Sequence, residues 1–186
     1  MSDETIYTDP ELYERQRLPD NYYMRTLNEI IVKYDVKTAL DLGCGLGVDV
    51  AMMLEADLDV YGVDGAELLR EAVLFPPERY IVRDLTHNLS LSADLIWCRE
   101  VAEHIEPRHA STLVTNITNS AAKVIYFTAA HPGQVGHRHV NLRPRKYWTR
   151  RFNNRGWRVD TELTELNREH PNEDDRLNGM VLCPVT

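Results

Sequence analysis

Short apolar runs separated by longer amphipathic or polar stretches set the pattern of this chain. Thr38-Ala39-Leu40-Asp41, Val60-Tyr61-Gly62-Val63-Asp64, Tyr80-Ile81-Val82, Asp94-Leu95-Ile96-Trp97-Cys98 and Val124-Ile125-Tyr126-Phe127 are nearly continuous hydrophobic runs of strand length. A strand covered on one face alternates, whereas runs of this kind suit strands buried on both faces. Ahead of them Leu27, Ile30, Ile31 and Tyr34 recur at helical spacing and predict a helix over Tyr22–Tyr34. Strands alternating with helical or loop segments imply a doubly wound α/β fold, a mainly parallel sheet with helices on both faces. Two later runs, Gly156–Val159 and Met180–Cys183, show no clear helix between them, so they predict a C-terminal antiparallel hairpin at the sheet edge and bring the sheet to seven strands. Asn141–Phe152 predicts a further helix with Pro144 in its first turn and Trp148 and Phe152, four positions apart, turned to the core.

Length and composition narrow this picture to one domain. With 186 residues and 43% hydrophobic content the chain can bury one sizeable core and is short for two. The expected single domain spans 1–186, with the Tyr-containing stretch 1–34 forming an N-terminal helical lid. No run approaches the roughly 18 apolar residues of a membrane span, and Met1-Ser2-Asp3-Glu4 is acidic where a signal peptide is basic. A soluble, cytoplasmic protein is therefore expected. Cys44, Cys98 and Cys183 form no C-x-x-C pair and sit in apolar or Gly-rich contexts, which suits buried reduced thiols.

The formal charge of −8 argues against a general nucleic-acid coat, but charge is unevenly spread. Pro132–Val159 holds Arg138, Arg143, Arg145, Lys146, Arg150, Arg151, Arg155 and Arg158 without one acid, and Asp160–Arg176 is rich in Asp and Glu. These two segments either pair with each other or are solvated, or the basic one meets an anionic ligand.

The most informative segment is Asp41-Leu42-Gly43-Cys44-Gly45-Leu46-Gly47, followed at once by the helix-like Val48–Leu54. Closely spaced glycines let a chain turn sharply off a strand and bring bare backbone against a ligand at a helix N-terminus. The dinucleotide-binding pattern G-x-G-x-x-G requires Gly at 48, where Val stands. An acid followed by G-x-G-x-G instead resembles the first motif of the class I S-adenosylmethionine (SAM)-dependent methyltransferases. The resemblance continues with Asp64, 23 positions after Asp41 at the end of the second run, with Asp84 just past the third, and with Asp94-Leu95-Ile96 running into Glu100-Val101-Ala102-Glu103-His104-Ile105. It covers roughly Val36–Phe127. It implies that Gly43, Cys44, Gly45 and Gly47 admit SAM, that Asp41 faces its methionine end, that Asp64 accepts hydrogen bonds from the ribose hydroxyls, and that Asp84 takes the adenine amino group with Leu85 behind the ring.

Methyl transfer to an oxygen requires in-line alignment and, for a hydroxyl, loss of a proton. On a helix Glu100, Glu103 and His104 would share one face. That set resembles the one in metal-assisted O-methyltransferases, but E-H after this strand also accompanies metal-free members, with capping, packing or base roles as alternatives; no metal is expected. The other histidine-bearing segment, His131-Pro132-Gly133-Gln134-Val135-Gly136-His137-Arg138-His139, follows the fifth strand in a Pro- and Gly-broken loop, where α/β enzymes place their sites. His137 is the first candidate base, with His131, His139 and His104 as alternatives. The expected activity is SAM-dependent O-methylation of a polar small molecule, neutral or anionic, such as a sugar or nucleotide-linked sugar. The rivals are an RNA methyltransferase, for which no separate RNA-binding module is present, and a non-catalytic SAM-binding subunit.

Overall fold

A computed structural model describes residues 21–170 and 172–185. Helix α1 (Asn21–Tyr34) leads into β1 (Thr38–Leu42), α2 (Val48–Glu55), β2 (Asp59–Asp64), β3 (Tyr80–Val82) and β4 (Ala93–Cys98). Next come α3 (Ala110–Ser120), β5 (Ala121–Phe127), α4 (Arg145–Asn153), β6 (Trp157–Val159), α5 (Thr161–Leu166), α6 (Glu173–Asn178) and β7 (Met180–Pro184). The strands form one sheet in the order β3-β2-β1-β4-β5-β7-β6. The pairs from β3 to β5 are parallel, and β7 runs antiparallel to both β5 and β6. The order reverses at β1 and β4, so the carboxyl ends of these two central strands flank the crevice in which such sheets bind ligands.

The apolar runs are continuous because both faces are covered. Leu95, Trp97, Val124, Tyr126 and Val181 point into a core shared with α1 and α2. Their neighbours Ile96, Cys98, Ile125, Phe127 and Leu182 point into a second core shared with α3 and α4. Trp97 stacks on Tyr126 at 3.9 Å between centroids, and Tyr23 of α1 meets both rings edge-on. All three cysteines are free and buried.

Two sequence expectations change in detail. The edge strands β6 and β7 do pair antiparallel, but α5 and α6 lie between them and β7 inserts beside β5, so the pair is not joined by a tight turn. Helix α4 begins at Arg145 rather than Asn141, because Pro144 takes an extended conformation at its N-cap. Trp148 and Phe152 are buried as expected. The lid expected over 1–34 falls in part on residues 1–20, outside the described residues; its described part, α1, is a core helix with Leu27 and Ile30 fully buried.

The acidic segment after β6 pairs with α1, while Glu165 lies near enough to Arg145 of the basic segment to favour its charged form. Lys33 meets Asp160 and Glu162, and Arg25 meets Glu169. Asp160 is the anchor: one carboxylate oxygen accepts from the Leu163 amide at the start of α5, and the other from the Tyr34 hydroxyl at 2.5 Å and from Lys33 at 2.8 Å. Burial pushes this carboxyl up, but Lys33, Tyr34 and the Leu163 amide outweigh it and hold it below the usual range. Asp160→Ala is expected to cost about 2–4 kcal/mol in urea unfolding, through lost hydrogen bonds to a buried charge. Because the folded value is depressed, this contribution is complete above about pH 4 and is lost as pH falls through the folded value. An unchanged urea midpoint at neutral pH would remove Asp160 from this role.

Candidate active site

The turn after β1 is shaped by sterics as much as by any ligand. The Gly43 and Cys44 amides donate to the Val63 carbonyl at 2.7 and 3.2 Å, folding the loop over the end of β2. Gly43 and Gly47 both adopt left-handed backbone, φ +84° and +80°. A Cβ on Gly43 would lie 2.4 Å from Val101, and one on Gly47 would lie 2.0 Å from the Phe75 ring. These two glycines are therefore required by dihedral angle and by packing. Cys44, a buried thiol whose pKa burial raises well above its usual value, turns its sulfur toward Gly62 of β2.

Asp64 closes the loop from the neighbouring strand. One of its carboxylate oxygens accepts from the Gly45 amide and the other from the Ala66 amide, both at 3.0 Å. Each oxygen keeps a lone pair for a further donor. Burial raises the Asp64 pKa and the amide hydrogen bonds oppose that rise.

A cleft of about 480 Å³, counted out to its open mouth, lies beyond the carboxyl ends of β1 and β4 and is lined by Asp41, Gly43, Cys44, Val48, Asp49, Arg99 and Glu100. Asp41 is buried, and its pKa is pushed well up by burial and by the nearby carboxylates of Asp49 and Asp64, with Arg99 opposing. Arg99 grips Asp49 through two hydrogen bonds of 2.6 and 3.2 Å, while Trp97 donates to the same carboxylate at 3.0 Å. The Arg99 guanidinium also lies 4.6 Å from the centre of the Tyr23 ring, and the Tyr23 hydroxyl donates to Asp175 of α6. Sequence reasoning missed Arg99 and Asp49. Their signals were position: Arg99 follows β4 directly at the switch point, and Asp49 lies in the first turn of α2.

Asp84 sits farther along the same rim and is exposed. Its Oδ1 accepts from the Thr86 amide and hydroxyl at 2.8 and 2.7 Å, and its Oδ2 faces His87 at 3.2 Å. Partial burial raises its pKa, but these partners bring it below the usual value. Leu85 is buried in the core shared with α3.

Glu100, Glu103 and His104 do not share a helical face. The segment after β4 is a turn, entered through Glu100 at φ +53°, so helical phase is lost. Glu100 faces the cleft, accepting from Thr128 at 2.7 Å and, at 3.4 Å each, from Gln134 and Asn178. Glu103 is fully buried behind it. The four candidate histidines separate. His131 bonds the Pro132 carbonyl and Asp174, and these raise its pKa against desolvation, with the Pro132 bond the largest effect. His137 is exposed on the loop. The rings of His104 and His139 meet 5.2 Å apart, and burial, with His139 nearby, lowers the pKa of His104.

A seven-stranded sheet of order 3-2-1-4-5-7-6 with a glycine turn after β1 and acids ending its neighbouring strands defines the class I methyltransferase fold. Residues 40–121 match the family of methyltransferase domains. Solved structures agree over nearly the whole chain. A sugar N-methyltransferase from Streptoalloteichus sp. superposes with TM-score 0.69 at 15% identity, over 96% of this chain and 93% of that one. An amino pentose methyltransferase from Micromonospora echinaspora, solved with SAM bound, gives 0.66 at 12%, over 94% and 95%. Magnesium protoporphyrin IX methyltransferase from Synechocystis, solved with the demethylated cofactor, gives 0.61 at 15%, over 91% and 90%. No curated protein sequence matches significantly. The chain thus has the class I methyltransferase fold, with the match to methyltransferase domains lying over residues 40–121. No helix among the described residues is long and apolar enough to cross a membrane.

The steric argument at Gly43 is testable without any ligand. Gly43→Ala is expected to destabilise the fold by about 1–3 kcal/mol, from the dihedral angle and the Val101 clash together. In a double-mutant cycle the same change should cost less in a Val101→Ala background. Equal costs in both backgrounds would show that Val101 does not restrict this turn.

Proposed function

We propose that this methyltransferase moves the methyl group of SAM to an oxygen of a polar small molecule, a sugar or nucleotide-linked sugar. The observation carrying this reading is that the cleft passes from the Asp41 and Gly43 end to Glu100, whose carboxylate is fixed by Thr128, Gln134 and Asn178. Such a rim of neutral and acidic side chains suits hydroxyl groups better than an apolar acceptor. SAM lies over Gly43, Cys44, Gly45 and Gly47, with its methionine end toward Asp41 and Arg99 and its ribose hydroxyls on the free lone pairs of Asp64. Asp84 and Leu85 lie on the adenine side.

In the transfer the sulfonium–methyl bond breaks as the oxygen–methyl bond forms, the cofactor leaves as S-adenosylhomocysteine, and the acceptor hydroxyl gives up its proton. Glu100, at the cleft, is placed to take that proton, with the imidazoles of His104 and His139 behind it. His104 suits the role in protonation state, since burial favours its neutral form. His131, bonded to Asp174, favours its charged form and suits the role less.

For the RNA alternative, three of the eight cations in the basic segment are already engaged within the fold. Arg151 and Arg155 are turned onto Ser111 and Thr115 of α3, and Arg143 onto Asn141.

Asp64→Ala is expected to weaken SAM binding by about 1–3 kcal/mol in calorimetric titration, through lost charge-assisted hydrogen bonds and a loosened glycine turn. Wild-type affinity in that variant would remove Asp64 from the cofactor site.

Glu100→Gln is expected to lower turnover about a hundredfold or more while SAM affinity stays within a few-fold, as loss of a role in the transition state requires. Turnover is followed by mass spectrometry across a panel of sugars, nucleotide-linked sugars and their amino counterparts. SAM binding without turnover on any of them would favour the non-catalytic subunit.

A further inference from the structure

Helix α6 stands between two parts of the site. Asp175 reaches Tyr23, which covers Arg99, and Asn178 reaches Glu100. The helix has only six residues, Glu173–Asn178, capped by Asn172, which accepts from the Asp174 amide at 2.8 Å. So short a helix does not hold itself, and its place is set by what its side chains grip. We propose that Tyr23 and Asp175 are a positioning pair, which fixes α6 against α1 and Arg99 and thereby places Asn178 and Glu100 for the acceptor.

The fixed side of the pair is α1. Tyr23 is buried, its ring lies edge-on to Trp97 and Tyr126 at 6.4 and 6.2 Å, and the Arg99 guanidinium sits 4.6 Å from its centre. With the ring enclosed in this way the hydroxyl has one direction to take, and it donates to Asp175 Oδ1 at 2.5 Å. Burial holds the phenol far above its ordinary pKa, so it remains a donor at any working pH. Burial also raises the Asp175 pKa, and the Tyr23 bond opposes that rise, as a hydrogen bond to the charged form does. The other Asp175 oxygen faces His170 at 3.3 Å.

On its other side the pair meets the wall of the acceptor end. About one helical turn beyond Asp175, the Asn178 side chain donates to Gln134 at 2.9 Å and to Glu100 at 3.4 Å. Asp174 meets His131 at 2.9 Å, and the His131 amide donates to Gln134 at 3.3 Å. These contacts join α6 to the loop after β5, which belongs to the same wall. The bond between Tyr23 and Asp175 joins that wall to α1 and so to the packed core. Because Arg99 and Glu100 are consecutive, the route from Arg99 through Tyr23, Asp175 and Asn178 comes back to Glu100 as a closed ring.

Such a ring fixes the distance between the residues that flank the two ends of the cleft. Methyl transfer needs the acceptor oxygen in line with the sulfonium–methyl bond, and a misplacement of about 1 Å can cost on the order of a hundredfold in rate. The consequence for turnover rests on the function proposed above; the hold on α6 does not.

Tyr23→Phe removes the hydroxyl and keeps the ring on its neighbours. The Asp175 side chain is 21% exposed, so water can replace the phenol and the variant is expected to fold, which thermal unfolding checks. In the full-length protein, hydrogen–deuterium exchange read by mass spectrometry is expected to rise about tenfold over residues 173–178 and to stay unchanged in β1 and β4. On the sugar or nucleotide-linked sugar that the wild type methylates, kcat is expected to fall about tenfold while SAM affinity stays within about twofold. Asp175→Ala should repeat both effects. Asp175→Asn, whose amide oxygen still accepts from Tyr23, should restore most of the wild-type exchange and kcat, and a double variant of Tyr23→Phe with Asp175→Ala should be no worse than either single one. Should Asp175→Ala fail to fold, Tyr23→Phe and Asp175→Asn carry the comparison. Wild-type exchange over 173–178 in Tyr23→Phe overturns the proposal, as does an additive double variant. Raised exchange with unchanged kcat overturns it too, since α6 then does not place Glu100. If the wild type binds SAM but methylates no acceptor of the panel, the proposed function fails, and the exchange measurements still decide whether the pair holds α6.

Discussion

The ion pair between Arg99 and Asp49 is the interaction on which the site most depends. Asp49 comes from the first turn of α2 and Arg99 from the residue after β4, so their two hydrogen bonds fix the glycine turn's helix against the centre of the sheet. The guanidinium carries Tyr23 of α1 on its face, and Tyr23 carries Asp175 of α6 on its hydroxyl. One cation thus links both ends of the described chain to the crevice between β1 and β4. A partly enclosed pair of this kind is worth more than a surface pair because solvent screens it less, and removing one partner leaves the other charge uncompensated.

The need for such a cation follows from how much negative charge the crevice encloses. Asp41, Asp49 and Asp64 are all buried, and the Asp41 pKa rises through burial and through its two neighbours. Asp64 is accommodated by the amides of Gly45 and Ala66, Asp49 by Arg99 and Trp97. Asp41 has the charge of Arg99 nearby to oppose the cost of its burial. A sulfonium ligand with its own ammonium group would bring positive charge to the same place, which is a physical reason for a methyltransferase to keep these acids together.

The two ends of the cleft are built differently. The end proposed to take the cofactor consists of strand termini and a turn whose backbone is dictated by steric exclusion at Gly43 and Gly47. The end proposed to take the acceptor is assembled from the turn after β4, the loop after β5 and α6, joined by hydrogen bonds among Glu100, Thr128, Gln134 and Asn178. Loops vary in composition far more readily than sheet geometry does. A common core can therefore hold one cofactor while its loops choose the acceptor, and the structural relatives, which act on different molecules, share this fold at identities of 12–15%.

Apolar runs, their spacing and the glycine motif determined the strands, the parallel order and the sharp turn after β1, because each of these is local: burial on both faces writes a continuous hydrophobic run, and a left-handed turn demands glycine. The cysteines' burial and the inward turn of Trp148 and Phe152 were legible for the same reason. What the tertiary structure decided lay between segments far apart in the chain. Glu100 breaks the helical phase at φ +53°, so the face shared by Glu100, Glu103 and His104 on paper does not exist, and His104 instead meets His139 across the loop after β5. The acidic segment found ion-pair partners on α1, far away along the chain. Periodicity reports which residues share a face only while the backbone is regular; once it turns, the neighbours of a side chain are set by packing, which no spacing along the chain records.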